Sequence, residues 1–251
     1  MNGRRMATAS GAILADVALL DAAALLAPAS SSPEPLFEPQ FWPGHGGIRS
    51  VGGGRGAAWF VDHGTEQWVL RHYRRGGFVA RLSGDRYLWT GEARVRAFAE
   101  YRLLADLAAQ GMPVPEPVGA RYERRGPWYR CDLITRRIPE AASLSGMLAA
   151  APLADASWSL VGSTIARLHM AGVDHADLNA HNILLDRRGA VSVVDFDRCR
   201  VRRPGAWAAR NLRRLHRSLA KISAALPDDR FSEEAWRRVL TGYAERSAAG
   251  E

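Results

Sequence analysis

Two short polar strings confine this chain more tightly than anything else in it. His175-Ala-Asp-Leu-Asn-Ala-His-Asn182 is followed by the apolar run Val191-Ser-Val-Val194 and then by Asp195-Phe-Asp197. Asp177 and Asn182 stand five residues apart, and Asp195 lies thirteen beyond Asn182. Trp158, Val161, Ile165 and Leu168 give a helical stripe that Gly172 stops, and two short apolar strands flank the turn Arg187-Arg-Gly-Ala190, so the first string is a loop between a helix and a hairpin. Its residue types then divide by charge. Phosphoryl transfer needs one carboxylate to orient and deprotonate an acceptor hydroxyl, and an amide with a second carboxylate to hold Mg²⁺ against nucleotide phosphates. Asp177 is the expected base; Asn182 and Asp195 are the expected metal ligands.

The pattern H-x-D-L-x-x-x-N is that of the protein-kinase catalytic loop, with Ala176 where a kinase has arginine. The elements ahead of it follow the order of a kinase N-lobe. Gly52-Gly-Gly-Arg-Gly56 reads as a turn whose Gly53, Gly54 and Gly56 let backbone N–H groups approach phosphates, although a hairpin turn needs such glycines too. The strand Gln67 to His72 puts Arg71 where a kinase carries lysine, and the sole lysine, Lys221, lies far downstream. Arginine can fork onto phosphate. A helix from Thr90, its expected N-cap, to Gly111 has an inner stripe of Val95, Phe98, Leu104 and Leu107 and offers Glu100 as the partner of Arg71. Cys131-Asp-Leu-Ile-Thr135 reads as the hinge beneath an adenine, which makes Asp132 and Ile134 cofactor contacts. His175 is expected to brace the catalytic loop, and His181 to be structural or to meet an acceptor sugar. Only 56 residues follow Asp195, too few for a regulatory activation segment plus a large helical lobe, so a small-molecule kinase fits better. Ala176 agrees, because the arginine it replaces grips a phosphorylated activation loop in many kinases.

With 251 residues, 47% of them hydrophobic, the chain can bury a sizeable core as one two-lobed domain or two small ones. The expectation is an α+β, two-lobed protein-kinase-like fold: a β-rich N-lobe over 36–137 and a compact helical C-lobe over 138–251, preceded by a segment 1–35. Within that segment Gly11 to Ala29 is rich in Ala and Leu, but Asp16 and Asp21 interrupt it, so it reads as an amphipathic or loosely ordered helix and not a membrane span. Cys131 and Cys199 are isolated, which suits inert thiols in a reducing compartment. A net charge of +8 and a pI near 10.3 call for an anionic partner: nucleic acid, a lipid surface or a polyanionic substrate. No nucleic-acid-binding module accompanies the charge, so no nucleic acid is expected. A helix from Trp207 to Leu226 carries Arg210, Arg213, Arg214 and Arg217 on one face, close after the Arg198 to Arg203 run; that suits a membrane surface or a solvated lobe helix.

With these residues in hand, the chain resembles the 3-deoxy-D-manno-octulosonic acid (Kdo) kinase family of Gram-negative bacteria, within the protein-kinase-like superfamily. The resemblance rests on Val69-Leu-Arg-His-Tyr-Arg-Arg-Gly-Gly77, Asp85 to Gly91, Phe98 to Leu104, Leu133-Ile-Thr135 and His175 to Asp186, and covers about residues 37–220. It implies ATP-dependent phosphorylation of the 4-hydroxyl of Kdo on a lipid A precursor, by a peripheral enzyme at the cytoplasmic face of the inner membrane. Arg71 is ordinary within that family. ATP and Mg²⁺ are the expected cofactors; a Kdo-bearing lipid A precursor and the anionic inner-membrane surface are the expected partners; the oligomeric state is open. The alternatives are another sugar or aminoglycoside kinase, since the loop is widely shared, and a membrane-bound pseudokinase, against which intact Asp177, Asn182 and Asp195 argue.

Overall fold

A computed structural model describes residues 3–22, 33–50, 58–74 and 84–250. The expected glycine loop, with Gly53, Gly54 and Gly56, lies outside the described residues. The chain divides into two compact units: Met1–Ala109 with Pro115–Arg137, and Gln110–Val114 with Ile138–Glu251.

The first unit is an antiparallel sheet with one long helix. It begins with β1 (Arg4–Ala7), β2 (Gly11–Ala15) and the short α1 (Val17–Ala22). Then come β3 (Gly47–Ser50), β4 (Ala58–His63), β5 (Glu66–His72), β6 (Tyr87–Leu88), α2 (Arg96–Ala109), β7 (Pro117–Arg125) and β8 (Trp128–Arg136). The strand order is β1-β2-β7-β8-β5-β4-β3, with β6 also on β8. The expected N-terminal helix is replaced over Gly11–Ala15 by a strand paired with β7, Ala12 opposite Tyr122. The cause is double-sided burial: Ala12, Ile13, Leu14 and Ala15 are all at most 6% exposed, and a strand covered on both faces shows an unbroken apolar run that periodicity cannot tell from a helix.

Trp68 and Leu70 of β5 face a cluster with Ile13, Trp42, Val118 and Ile134, and the Trp42 and Trp68 rings meet edge to face at 5.8 Å. Burying each such side chain stabilises the unit by about 1.5–3 kcal/mol. Val69 and Arg71 alternate to the other face of β5, and there Arg71 reaches Glu100 of α2, a helix that packs on β7 and β8. That helix starts six residues later than the expected Thr90 cap. Gly91 sits at φ +107°, a conformation closed to a continuing helix, and a 3₁₀ turn over Glu92–Arg94 intervenes.

The second unit holds β9 (Ala142–Ser143), α3 (Leu144–Ala150), α4 (Asp155–Met170), β10 (Val173–Asp174), β11 (Ile183–Leu185), β12 (Val191–Val193), β13 (Arg200–Val201), α5 (Trp207–Ser223) and α6 (Glu233–Ala248). In α4, Trp158, Val161, Ile165 and Leu168 are the buried stripe that periodicity predicts, and Gly172 takes φ +77° just past its end. Helices α4 and α6 cross on two glycines. A Cβ on Gly162 would lie 1.9 Å from the Val239 carbonyl oxygen, and one on Gly242 2.0 Å from that of Ser159, so only hydrogen fits at either point. The hairpin β11–β12 and the pair β10–β13 then set the loops that bear the catalytic string.

Candidate active site

The catalytic loop is built around His175. This residue is 2% exposed, and the Asp177 N–H donates to its Nδ1 at 3.3 Å while its Nε2 lies 3.2 Å from the Val194 carbonyl. An amide can only donate and a carbonyl only accept, so the ring is the neutral Nε2–H tautomer. Burial pushes its pKa below the ordinary value, in agreement. Phe196, 1% exposed, packs against it at 5.0 Å, which ties the Asp195 segment to the loop. From below, the Asn211 Oδ1 of α5 accepts the His175 N–H at 2.9 Å, and its Nδ2 donates to Asp174 at 3.0 Å.

Asp177 itself is exposed, and its Oδ1 takes an ion pair from Arg214 of α5 at 3.1 Å. The side-chain amides of Asn179 and Asn182 both donate to the Asp177 carbonyl at 3.0 Å. With its nitrogen spent there, the Asn182 amide has its oxygen as the atom that could hold a metal ion. The Val194 N–H donates to the Asn182 carbonyl at 2.9 Å, which places Asp195 beside Asn182. Asp195 takes φ +65°, a left-handed conformation that Asp tolerates better than most residues. Two hard oxygen donors with room for more ligands fit Mg²⁺, which keeps several waters and takes one or two carboxylates plus substrate phosphates. Among the described residues no larger cluster of His, Cys, Asp and Glu could hold a metal ion. His181 spends its Nδ1 on the Ser145 hydroxyl at 2.8 Å, a structural contact.

Two grooves run along α5, the first of them against this loop. One, of about 410 Å³, is lined by Asp174, His175, Ala176 and Asn211 together with Arg210, Arg213, Arg214 and Arg217. The other, also about 410 Å³, lies between α5 and α6 and is mostly apolar, with Leu212, Trp236 and Leu240 along it; Arg213 and Arg217 line both.

In the sheet-rich unit Arg71 meets Glu100, as expected. Its Nη2 donates to Glu100 and, at 2.9 Å, to the Tyr73 hydroxyl, which in turn donates to Glu100. Glu100 is 4% exposed, and the Arg71 guanidinium lies over the Tyr73 ring at 4.6 Å. The adenine role expected of Asp132 and Ile134 is corrected here. Asp132, mid-strand in β8, accepts from Arg121 and bonds His72 at 2.6 Å; Ile134 is 1% exposed in the core, with Leu70 and Gly119 on either side in the sheet. Both side chains are committed inside the unit.

A family model described as the lipopolysaccharide kinase (Kdo/WaaP) family matches residues 40–243. The chain belongs to this family. Relatives named 3-deoxy-D-manno-octulosonic acid kinase come from Xanthomonas euvesicatoria pv. vesicatoria (50% identical over 74% of this chain and 75% of the relative) and Photobacterium profundum (42% over 84% and 89%). A third, from Stenotrophomonas maltophilia strain K279a, is 49% identical over 74% and 75%. Membership makes the chain a kinase, a phosphotransferase of two-lobed α+β fold, and implies ATP as donor and usually a divalent metal. For a lipopolysaccharide kinase, the sequence reading lacked three residues that the structure adds: Tyr73 beside Glu100, Asn211 beneath His175, and Arg214 on Asp177. Only Arg214 had a signal, as one of four arginines at helical spacing.

Proposed function

We propose that the chain transfers the γ-phosphoryl group of ATP to the 4-hydroxyl of Kdo on a lipid A precursor, at the cytoplasmic face of the inner membrane. Asp177 orients the acceptor hydroxyl and takes its proton as the oxygen attacks phosphorus and ADP leaves. Asn182 and Asp195 hold Mg²⁺, which neutralises charge on the phosphates. Arg71, braced by Glu100 and Tyr73, meets the phosphates as a fork where other kinases use an ammonium group.

The observation that carries the acceptor class is the arginine-lined groove beside Asp177. Kdo bears a carboxylate and lipid A bears phosphates, whereas a cationic aminoglycoside would be repelled by four guanidinium groups. The adjoining apolar groove suits the lipid portion of an amphiphile. Among the described residues no helix is long and apolar enough to cross a membrane. Attachment in this proposal is by exposed arginines at an anionic surface and by the lipid acceptor itself. The test is turnover of ATP with Kdo-bearing lipid A precursor, an aminoglycoside and a generic protein. Phosphate found on the Kdo 4-position supports the reading; turnover only with the aminoglycoside or the protein removes it.

A further inference from the structure

Ala176 leaves a gap in the catalytic loop, and α5 supplies the cations around it. Arg210, Arg213, Arg214 and Arg217 follow an i, i+3, i+4, i+7 spacing, which puts them on one face of the helix. Against these four charges the groove's lining sets one carboxylate, Asp174, and a second, Asp177, stands at its edge. Asp174 is already engaged by Arg202 at 2.9 Å and by Asn211; burial would raise its pKa, but those hydrogen bonds and the Arg202 and Arg210 charges hold it below the ordinary value. Asp177 is the other, and Arg214 holds it. The groove therefore keeps a surplus of cation beside the catalytic base.

The Arg214–Asp177 pair is half in solvent, with side chains 47% and 57% exposed. Such a pair is weakly held and yields to a better anion. A carboxylate or phosphate seated among several guanidinium forks is better, because it accepts parallel hydrogen bonds from more than one arginine.

We propose that this groove is the anion subsite for the acceptor, and that Arg214 is a latch on the base. Without acceptor, Arg214 occupies the Asp177 carboxylate. When the acceptor's anionic group enters, Arg214 turns to it with Arg213, and Asp177 is left to the hydroxyl. The base is thus freed only when a correctly charged acceptor is present. This rests on the acceptor class proposed above and names the residues that read it. The anion is a sugar carboxylate or a lipid phosphate, which share this chemistry.

The test compares wild type with Arg214→Ala, Arg214→Lys and Arg213→Ala on three acceptors: the Kdo-bearing lipid, its carboxylate methyl ester, and the lipid stripped of phosphates. kcat and KM are read separately, and thermal melts confirm folding. In wild type, removing the relevant anion lowers kcat/KM roughly tenfold or more, as expected for losing a charge-assisted pair. Arg214→Ala loses as much on the intact acceptor and no longer distinguishes it from the neutralised one. On the neutralised acceptor its kcat equals or exceeds that of wild type, since nothing then ties up Asp177; general damage to the fold cannot produce that crossover. Arg214→Lys recovers part of the discrimination. Which of the two altered acceptors shows the effect identifies the anion. Wild-type discrimination retained in Arg214→Ala for both overturns the proposal. Calorimetric titration with free Kdo and with inorganic phosphate separates the two readings. If no lipid acceptor turns over but anion binding disappears in Arg213→Ala and Arg214→Ala, the subsite stands and the acceptor assignment falls. If binding is unchanged in both variants, the subsite falls.

Discussion

Each unit sets an arginine against a carboxylate, and the two pairs sit in opposite surroundings. Glu100 has a 3% exposed side chain and shares its charge with Arg71 and Tyr73, whereas Arg214 and Asp177 meet largely in water. Opening a buried pair leaves an uncompensated charge and costs about 3–5 kcal/mol, while an exposed pair is worth about 0–1 kcal/mol. The same two residue types therefore make a rigid brace in one unit and an exchangeable contact in the other. Position in the dielectric, and not residue identity, separates them.

The sharpest way to break this contrast is to remove the carboxylates. Asp177→Asn is expected to lower turnover by roughly 10²–10⁴-fold, the usual contribution of a positioned base, while ATP affinity stays within a few-fold and stability is unchanged. Steady-state kinetics with ATP titration checks it, and near-normal turnover would strip Asp177 of its role. Glu100→Gln is expected to behave in the opposite way, destabilising the fold by about 3 kcal/mol or more in urea melts. Arg71→Ala should then add little to Glu100→Ala in a double-mutant cycle; independent losses would show that the brace is not one unit.

Histidines sharpen the comparison through pH. In the helical unit burial lowers the pKa of His169 from 6.5 to about 4, and burial lowers that of His175 as well. Their folded forms bind fewer protons than the unfolded chain, so their stability is full above pH 6.5 and is lost as pH falls toward 4, by up to about 3 kcal/mol for His169. In the sheet-rich unit the hydrogen bond to Asp132 raises the pKa of His72. Its contribution is full below pH 6.5 and is lost as pH rises through the raised value. Acid should thus loosen the helical unit first, which hydrogen exchange at pH 5 and pH 8 can resolve. His169→Phe should reduce the acid sensitivity and His72→Gln the alkaline one; unchanged profiles would remove these groups from the account.

The smallest effect concerns the surface. Arg200 and Arg203 are exposed in the run after Asp195, and each is expected to contribute about 1 kcal/mol to binding an anionic bilayer. Arg200→Glu with Arg203→Glu should reduce co-sedimentation with anionic vesicles at low salt and weaken its salt dependence. Equal sedimentation for both proteins at all salt concentrations would take these two arginines out of the membrane contact.

The catalytic string, the strand arginine and the helix glutamate were legible because spacing alone constrains them. Asp177, Asn182 and Asp195 are close in sequence, so a helix stop and a hairpin suffice to gather them. Arg71 and Glu100 lie further apart, but a strand followed by an amphipathic helix has only one way to bury both stripes. Asp132 and Ile134 were misread because an apolar run bounded by charge looks the same at a hinge as in a central strand. Only the pairing of β8 with both β5 and β7 shows that the run is buried.

Sequence by itself thus determined the chemistry: which groups could act on a phosphoryl transfer and in what order they come. Tertiary structure alone decided what each group is set against. It made a strand of Gly11–Ala15, gave Glu100 its tyrosine and placed Arg214 on Asp177 across 37 residues of chain. The physical reason is that local pattern fixes periodicity and charge type, whereas burial and pairing arise only when distant segments meet, and burial is what turns one arginine into a brace and leaves another free to exchange.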